Sequence, residues 1–336
     1  MSAPVPSPED RAVEFVRAHG SFLLTSHDPL DGDSIGCEIA LALGLEKIGK
    51  RGVILNDARV PENYLFLPGI ERVKVLDPKG PRLEAAVDAA ITVDCGCPEK
   101  LARVFALLAP GTPMLNVDHH AGSGSHGHVN WVETDAASAG LLVLRLLDRL
   151  GIPLDAAMAT SLHTTLVHDT GRFSFSNTTP ETLRVAARLL EHGVDVDLVN
   201  RKIFREKSLP QLRIEGLVAA GIELRLGGRL ALARCTLDMC AKAGIEQHDA
   251  RDLIEIPAGL PHVEVAVLFR EVAREKLTKV SFRSTSAFDS NAFVSRFGGG
   301  GHKKAAGCTI ETGLEEAERR VTGELLRELE GAKWTA

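Results

Sequence analysis

The sequence is poor in residues that mark several classes of protein. Only 4% of its 336 residues are aromatic, and a single tyrosine is among them. Proteins that bind long single strands stack successive bases on aromatic side chains, so the composition argues against that class, although one or two stacking residues suffice for a short substrate. The formal net charge of -6 also argues against tracking a long nucleic-acid backbone, because that requires many Lys and Arg side chains.

Other features are also missing. The six cysteines form no paired CxxC framework, so we expect free, reduced thiols. No apolar run reaches the ~18 residues of a membrane span, and residues 1–11 lack the pattern of a signal peptide. These absences predict a cytoplasmic protein without a membrane segment. An acidic chain can still bind a small phosphorylated ligand if metal ions and a few local cations supply the positive charge.

The first half of the chain has the pattern of an α/β domain. The sequence is 44% hydrophobic and 25% charged, which with its length indicates two domains of ordinary size. Short apolar runs alternate with helical patterns, which predicts a parallel sheet with helices on both faces. The predicted strands are residues 21–26, 52–56, 72–76, 90–94 and 113–118, and the predicted helices are 34–48 and 98–108.

The second half begins with helices and then changes. Helices are predicted at 136–150, 154–167, 180–192 and 209–220. Two short runs then flank Gly227 and Gly228, which is a hairpin signal, and strands at 263–269 and 277–283 precede a helix at 314–330. We therefore predict an α/β domain at 12–190, a helical linker at 191–215 and a smaller α+β domain at 216–333.

Acidic and imidazole side chains follow several of the predicted strands. Ligands in open α/β sheets bind at the carboxyl ends of the strands, and crowded carboxylates repel one another unless a cation joins them. The mixture of donors suits Mn²⁺, with Mg²⁺, Co²⁺ or Fe²⁺ as alternatives, and their number suits two ions that share a carboxylate. The segments concerned are HDPLDGDS at 27–34, Asp94, Asp118-His119-His120 and Asp169-Thr170-Gly171.

Each segment alone also has an ordinary structural explanation. The first could be a turn that caps the following helix, with Asp33 or Ser34 as the N-cap residue and Gly32 allowing a tight turn. Two adjacent histidines could lie in a solvated loop. The prediction of a metal centre therefore depends on the agreement of several segments.

The order of these motifs resembles the DHH phosphoesterase family. The matching segments are HDPLDGD at 27–33, VDCG at 93–96, DHH at 118–120 and DTG at 169–171. GGGGHKKAAG at 298–307 resembles the GGGH signature of the associated DHHA1 nucleotide-binding domain, and Asn56-Asp57 also resembles a family segment. The resemblance covers about residues 15–330. The first motif departs from the family by having Asp28-Pro29-Leu30 where members often show Asn-Pro-Asp.

The resemblance implies a role for individual residues. One divalent ion, in the first place Mn²⁺, would be held by His27, Asp31 and Asp94. The other would be held by Asp33, Asp94, His119 and Asp169. His120 would act beside the scissile phosphate, and Asp118 would orient an imidazole. The residues implied to bind substrate are Arg283, Gly299, Gly300, Gly301, His302 and Lys303.

The resemblance also implies an activity. The layout is most similar to the bacterial bifunctional oligoribonuclease/pAp phosphatases, which implies hydrolysis of short oligoribonucleotides and of 3′-phosphoadenosine 5′-phosphate (pAp) through a metal-activated hydroxide that attacks phosphorus. A phosphodiesterase for pApA or cyclic dinucleotides is a close alternative, and a catalytically inactive nucleotide sensor is one of a different class. Inorganic pyrophosphatases lack the GGGH loop, and a RecJ-like nuclease would be expected to carry a further domain. Family analogy also suggests a homodimer.

Some residues receive no assignment or an ordinary one. The sequence gives no role to Asp28, His168 or Arg172. Core packing is favoured over base stacking for Phe173, Phe175 and Phe297.

Overall fold

The protein is described by a computed structural model that covers residues 6–76, 83, 86–120, 122–247, 250, 252–272, 276–285 and 287–331. The chain divides into two compact units, Met1–Glu206 and Lys207–Ala336. Among these described residues, no helix has the length and apolar character needed to cross a membrane.

The first unit is built on a parallel sheet. Its described strands are β1 (Ser21–Thr25), β2 (Arg51–Asn56), β3 (Lys74–Val75), β4 (Ala89–Val93), β5 (Met114–Asp118) and β6 (Val129–Val132). Their spatial order is β3-β2-β1-β4-β5-β6, and every neighbouring pair is parallel. The direction of winding reverses between β1 and β4. The carboxyl ends of these two strands are therefore the place where open α/β sheets bind ligands.

Helices cover the sheet of the first unit. They are α1 (Pro8–Ala18), α2 (Gly32–Lys47), α3 (Ala102–Phe105), α4 (Ala139–Arg149), α5 (Ala156–Asp169), α6 (Pro180–Leu190) and α7 (Val196–Asn200), with a π-helical turn at Arg201–Arg205 and 3₁₀ turns at Glu62–Tyr64, Ile70–Arg72 and Pro98–Leu101. The large core lies where α2, α4 and α5 pack on one face, and a smaller apolar cluster that includes Val104 covers the other.

Two helical glycines bring α5 close to its neighbours. A Cβ at Gly36 of α2 would lie 2.5 Å from the carbonyl oxygen of Ser161, and a Cβ at Gly140 of α4 would lie 1.8 Å from Thr165 Oγ1. Glycine costs helix stability relative to alanine, so these positions indicate that close backbone approach is needed. The packing places the first turn of α4 beside the first turn of α2.

The second unit contains a mixed sheet. Its described strands are β7 (Glu223–Arg225), β8 (Leu230–Cys235), β9 (Val265–Glu271), β10 (Thr278–Ser284), β11 (Gly300–Gly301) and β12 (Ala305–Ile310), in the order β11-β12-β10-β9-β8-β7. Only β8 and β9 pair in parallel among these strands. The helices are α8 (Leu209–Ala220), α9 (Leu237–Ala243), α10 (Glu255–Ala258), α11 (Ser290–Ser295) and α12 (Leu314–Gly331). Separate apolar clusters cover the two faces, because side chains alternate along each strand.

The predicted fold class is confirmed, and the errors concern short elements. The hairpin around Gly227 is present, since β7 and β8 pair antiparallel. The strand predicted at 72–76 is present but shorter, because β3 contains only Lys74–Val75 and follows a 3₁₀ turn. The helix predicted at 98–108 is a 3₁₀ turn followed by the four-residue α3. Several elements were not predicted, namely α1, α7, α9, α10, α11, β6, β11 and β12. Of these, β12 (AAGCTI) is rich in small residues and gives little hydrophobic signal.

Candidate metal centre

Acidic and imidazole side chains converge beyond the carboxyl ends of β1, β4 and β5. Their potential ligand atoms form three groups, and within each group the atoms lie within 4.8 Å of one another. Asp94 and His119 each belong to two groups, so the groups form one continuous cluster. The groups are His27 with Asp31 and Asp94, Asp33 with His119 and Asp169, and Asp94 with His119 and His120.

Asp94 is the central carboxylate of this cluster. Its Oδ2 lies 3.3 Å from His27 Nε2, and its Oδ1 lies 3.4 Å from His119 Nε2. Oδ1 is buried and accepts no hydrogen bond from the described residues. The backbone of Asp94 has a φ of 52°, a left-handed conformation that costs a non-glycine residue roughly 1–2 kcal/mol and that Asp tolerates better than most. The fold therefore holds a buried carboxylate in a strained conformation between two histidines.

Asp94 separates the cluster into two parts, which we call the His27 half (His27 and Asp31) and the His119 half (His119, Asp33 and Asp169). In the His27 half, Asp31 is the N-cap residue of α2, and its Oδ1 accepts hydrogen bonds of 3.0 Å from the N–H groups of Asp33 and Ser34. Its Oδ2 lies 3.6 Å from His27 Nε2. The expectation that Asp33 or Ser34 is the N-cap residue is therefore wrong, and one carboxylate both caps the helix and faces the cluster.

His168, which received no role from the sequence, borders the His27 half. Its Nε2 lies 3.5 Å from Asp31 Oδ2, and its Nδ1 lies 2.9 Å from the hydroxyl oxygen of Tyr64. A Cβ at Gly32 would lie 2.8 Å from His168 Cβ and 3.0 Å from Tyr64 Cε1. Gly32 therefore allows these two residues to approach the helix, instead of forming the tight turn that the sequence suggested.

The His119 half is held mainly by backbone groups. His119 Nδ1 lies 3.1 Å from the carbonyl oxygen of Ala136, so Nδ1–H donates there and Nε2 faces the cluster. Nε2 lies 3.1 Å from Asp169 Oδ2 and 3.6 Å from Asp33 Oδ2. Metal-binding histidines need such a partner on the second ring nitrogen to fix the ring and its tautomer.

Asp33 of α2 is fully buried, and its carboxylate faces the N-terminus of α4. The backbone N–H of Ala139 donates to Oδ2 at 2.6 Å, and that of Gly140 donates to Oδ1 at 3.0 Å. The partial positive charge at a helix N-terminus stabilises a carboxylate in this position. The closely packed Gly140 of α4 therefore also supplies one of the contacts that place Asp33.

Crowding of carboxylates and imidazoles changes the pKa values of the groups in the cluster. Burial and the charges of Asp169 and Asp94 raise the pKa of Asp33 well above its ordinary value. Burial by itself lowers the pKa of an imidazole, but the neighbouring carboxylates outweigh it and raise the pKa of His27 to about 10 and that of His119 to about 12. Divalent cations relieve such crowding, and mixed imidazole and carboxylate donors suit Mn²⁺ and related ions. The residues therefore fit a metal centre.

His120 is held by Asp118 at the edge of the cluster. Its side chain is 33% exposed, and its Nδ1 donates to Asp118 Oδ1 at 2.9 Å. The same oxygen accepts the backbone N–H groups of His119 and His120 at 2.7 and 3.2 Å. Burial raises the pKa of Asp118, but the hydrogen bonds from His120 and Ser123 outweigh it and lower it to about 2. A charged carboxylate thus orients this imidazole.

Arg283 lies in the second unit, on the interior strand β10, where it is in register with Ala305 of β12. Its Nε donates to Glu255 Oε1 at 2.7 Å, and its guanidinium also donates to the carbonyl of Phe282 at 3.1 Å. The predicted substrate-binding arginine is therefore paired with a carboxylate, and it is not on an edge strand.

The glycine-rich segment forms the edge strand β11 and a tight turn into β12. The turn contains His302, Lys303 and Lys304 and is closed by a 2.7 Å hydrogen bond from His302 N to the carbonyl of Ala305. A Cβ at Gly299 would lie 2.4 Å from the carbonyl oxygen of Gly307, and one at Gly301 would lie 2.6 Å from that of Ala305. These two glycines are therefore required by close strand approach, besides any contact with an anion.

No supporting role was predicted for Glu38, Asn56 or Asn177, although Asn56-Asp57 resembles a family segment. Asn56 Nδ2 donates to Glu38 Oε2 at 2.9 Å, and Asn56 Oδ1 accepts the N–H of Ser26, directly before His27, at 3.0 Å. Glu38 and Asn56 are polar residues inside apolar runs, a signal that could have identified them. Asn177 donates to the carbonyl of Asp169 at 3.1 Å. It lies in the loop after α5, where a polar residue gives no comparable signal.

The unassigned residues lie in different surroundings. Asp28 is exposed, and the Arg172 guanidinium lies 4.8 Å from the centroid of the Phe204 ring. Phe173 and Phe297 pack against the apolar clusters as expected. Phe175 is 58% exposed, so the expectation of core packing is wrong for this residue.

The sequence matches two described domains and several curated proteins. Residues 21–166 match the DHH family, N-terminal domain, and residues 227–330 match the DHHA1 domain. The bifunctional oligoribonuclease and PAP phosphatase NrnA of Thermus thermophilus is 34% identical over 313 residues, which cover 92% of this chain and 90% of that protein. The protein of the same name from Bacillus subtilis is 26% identical over 212 residues, covering 62% and 66% of the two chains.

A solved structure has the same fold. The exopolyphosphatase-related protein from Bacteroides fragilis superimposes with a TM-score of 0.86 over 96% of both chains, at 23% sequence identity. The Bacteroides protein therefore shares the fold of this chain. The family relationship is established by the sequence similarity to the Thermus protein. The chain belongs to the DHH phosphoesterase family and carries both a DHH domain and a DHHA1 domain.

Proposed function

We propose that this chain is a metal-dependent phosphoesterase that hydrolyses short oligoribonucleotides to mononucleotides and pAp to AMP. One observation carries the proposal. Asp94 lies between two sets of histidine and carboxylate donors, at the place where the winding of the parallel sheet reverses. The substrate class follows the names of the relatives from Thermus thermophilus and Bacillus subtilis.

We infer that the cluster would hold two divalent ions, in the first place Mn²⁺. One would be held by the His27 half with Asp94, and the other by the His119 half with Asp94. Bound there, the ions would neutralise charge on the phosphoryl oxygens and lower the pKa of a water molecule, so that hydroxide is available near neutral pH. Oδ1 of Asp94 is buried and accepts no hydrogen bond from the described residues, which supports its role as the shared carboxylate.

His120 would supply positive charge, and a proton, to the phosphate that reacts. Burial lowers the pKa of His120, but Asp118 and Asp94 outweigh it and raise the pKa above the ordinary value. The imidazole therefore holds a proton more readily than an ordinary histidine does. A cationic donor that is fixed by Asp118 can stabilise charge on a phosphoryl oxygen or protonate the leaving oxygen.

We propose that catalysis belongs to residues 12–190 and substrate binding to residues 216–333, with a helical linker between them. In the second region Arg283 would bind a substrate phosphate, together with His302, Lys303 and the backbone of Gly299, Gly300 and Gly301. Arginine recognises phosphate through paired N–H donors. Arg283 is paired with Glu255, so a substrate phosphate would replace that carboxylate.

The proposed activity is tested by one substrate panel with purified protein and Mn²⁺. The panel contains pAp, RNAs of graded length, pApA, cyclic di-AMP and pyrophosphate. We expect turnover of pAp and of the shortest RNAs, and no turnover in Asp94→Asn, while the exposed control Asp197→Asn in α7 stays active. Turnover of pyrophosphate alone would overturn the proposal, and tight nucleotide binding without metal-stimulated turnover would identify an inactive sensor.

If substrate binding and metal binding belong to different domains, a change at Arg283 should affect the first and not the second. Arg283→Ala should raise the KM for pAp roughly 10–100-fold, because a hydrogen bond to a charged group contributes about 1.5–3 kcal/mol, and should leave Mn²⁺ binding unchanged in calorimetry. Arg225→Ala, which removes an exposed arginine of β7 that pairs with Glu223, is the matched control. Equal losses of substrate and metal binding in Arg283→Ala would contradict the assignment.

A further inference from the structure

The two histidines that flank Asp94 differ in how their second ring nitrogen is held. His119 Nδ1 donates to the carbonyl of Ala136. His27 Nδ1 is buried and has no hydrogen-bond partner among the described residues. A histidine whose Nε2 binds a cation carries its proton on Nδ1, and this N–H needs an acceptor to fix the ring. His27 therefore lacks the support that His119 has.

Glu38 of α2 has the complementary unpaired atom. Its side chain is fully buried, and its Oε2 accepts a hydrogen bond from Asn56. Its Oε1 is buried and has no hydrogen-bond partner among the described residues. Burial raises the pKa of Glu38 to about 8, and the positive charge of His27 acts against this rise. Asn56, which donates to Glu38, also accepts the N–H of Ser26, the residue before His27. Glu38 therefore lies one hydrogen-bonded side chain away from the His27 segment, and one residue lacks a donor while the other lacks an acceptor.

Asn56 connects Glu38 to the backbone beside the cluster. Its Oδ1 accepts the N–H of Ser26 at 3.0 Å and the hydroxyl of Thr25 at 3.2 Å. The hydroxyl of Ser26 donates at 2.7 Å to the carbonyl of Val93, the residue before Asp94. Hydrogen bonds therefore link α2 with the carboxyl ends of β1 and β4, directly before His27 and Asp94.

We propose that Glu38 is the positioning residue of His27, whose Nδ1–H donates to Glu38 Oε1 through one buried water molecule. Buried water molecules commonly join polar groups of this kind. The inference rests on the proposed metal centre and deepens it, because it assigns to the His27 half a carboxylate–histidine pair that orients a metal-binding ring. The His119 half has a backbone carbonyl in this role and does not depend on Glu38.

The test exchanges an amide and a carboxylate. Glu38→Gln keeps the shape but has only one accepting end, so it cannot accept from both Asn56 and His27. We expect one of two Mn²⁺-binding steps to weaken about 10–100-fold in calorimetry, as is usual when the partner of a metal-binding histidine is lost, with the other step unchanged. Adding Asn56→Asp to Glu38→Gln moves the carboxylate to the neighbouring position and again satisfies every group, so the weakened step should recover.

A matched control separates positioning from stability. Ile39→Val changes the next residue of α2, which is fully buried, and should lower Tm without changing either binding step. Glu38→Gln with both binding steps unchanged would overturn the inference. So would a double exchange that restores Tm but leaves the step weak.

The wild-type chain gives a second measurement that needs no variant. Long-range ¹H–¹⁵N spectra with Mg²⁺ bound should show the His27 proton on Nδ1 with the downfield shift of a hydrogen-bonded proton, and an Nδ1 proton without that shift would overturn the inference even if Glu38→Gln does not fold. If the wild-type chain binds no divalent ion, the proposed function itself fails, and this inference fails with it. The two failures are therefore distinguishable.

Discussion

The two halves of the cluster share Asp94 but are supported by different parts of the chain. The His119 half depends on main-chain groups, namely the carbonyl of Ala136 and the N–H groups of Ala139 and Gly140. In the His27 half, main-chain N–H groups also hold Asp31, but the other contacts come from the side chains of His168, Tyr64 and Asn56. Main-chain support depends on how helices dock, whereas side-chain support can be removed one group at a time.

The largest effect is expected where the halves meet. Asp94→Asn keeps the shape and tolerates the left-handed backbone, but it removes the charge that both halves share. We expect kcat/KM for pAp to fall by at least about 10³-fold, because metal-based charge stabilisation contributes several kcal/mol, and calorimetry should show both Mn²⁺-binding steps weakened. If one step keeps its wild-type affinity, Asp94 does not connect the halves.

Two glycines test the halves through packing. Gly140→Ala should be the more destabilising, since its Cβ would lie 1.8 Å from Thr165 Oγ1, against 2.8 Å from His168 Cβ for Gly32→Ala. Overpacking costs typically 1–3 kcal/mol, so we expect urea unfolding to place Gly140→Ala near or above the top of that range. Gly140→Ala should also weaken the Mn²⁺ step of the His119 half, and Gly32→Ala that of the His27 half. The reverse pairing would contradict the comparison.

The difference between main-chain and side-chain support also explains which parts of the site could be predicted from the sequence. The acidic and imidazole residues after β1, β4 and β5 could be predicted because the carboxyl ends of parallel strands meet at one edge, whatever the details of packing. Asp169 ends a helix, so only the order of the family motifs placed it with the others. The carbonyl of Ala136 could not be predicted, because every residue has such a group and its use depends on where the chain passes.

The supporting side chains gave weaker but usable signals. Glu38 lies within an apolar helix and Asn56 ends an apolar strand, so both needed partners inside the protein. Gly140 is a helix-interior glycine, which indicates close packing but not the partner. The contact of Arg283 with Glu255 joins distant parts of the sequence, and only the docking of α10 on β10 brings them together.

His120 belongs to neither half, and its role can be tested through Asp118. Asp118→Asn keeps an oxygen for the backbone N–H groups but weakens the hold on the His120 ring and lowers its positive charge. We expect kcat for pAp to fall about 10–100-fold, as for other oriented catalytic groups, with both Mn²⁺ steps close to wild type. A loss of metal binding as large as the loss of kcat would instead make Asp118 part of the metal-binding framework.

The smallest effect is expected from Tyr64, at the outer side of the His27 half. Tyr64→Phe keeps the ring beside Gly32 and His168 and removes the hydroxyl that lies 2.9 Å from His168 Nδ1. A hydrogen bond of this kind contributes about 0.5–1.5 kcal/mol, so the Mn²⁺ step of the His27 half should weaken by roughly 2–10-fold and the step of the His119 half should not change. The control variant is Phe15→Leu in the same core, which should lower Tm without changing the surroundings of His27 or His168. Equal weakening of both steps in Tyr64→Phe would mean that the halves respond as one unit, and the distinction between main-chain and side-chain support would then have no consequence for metal binding.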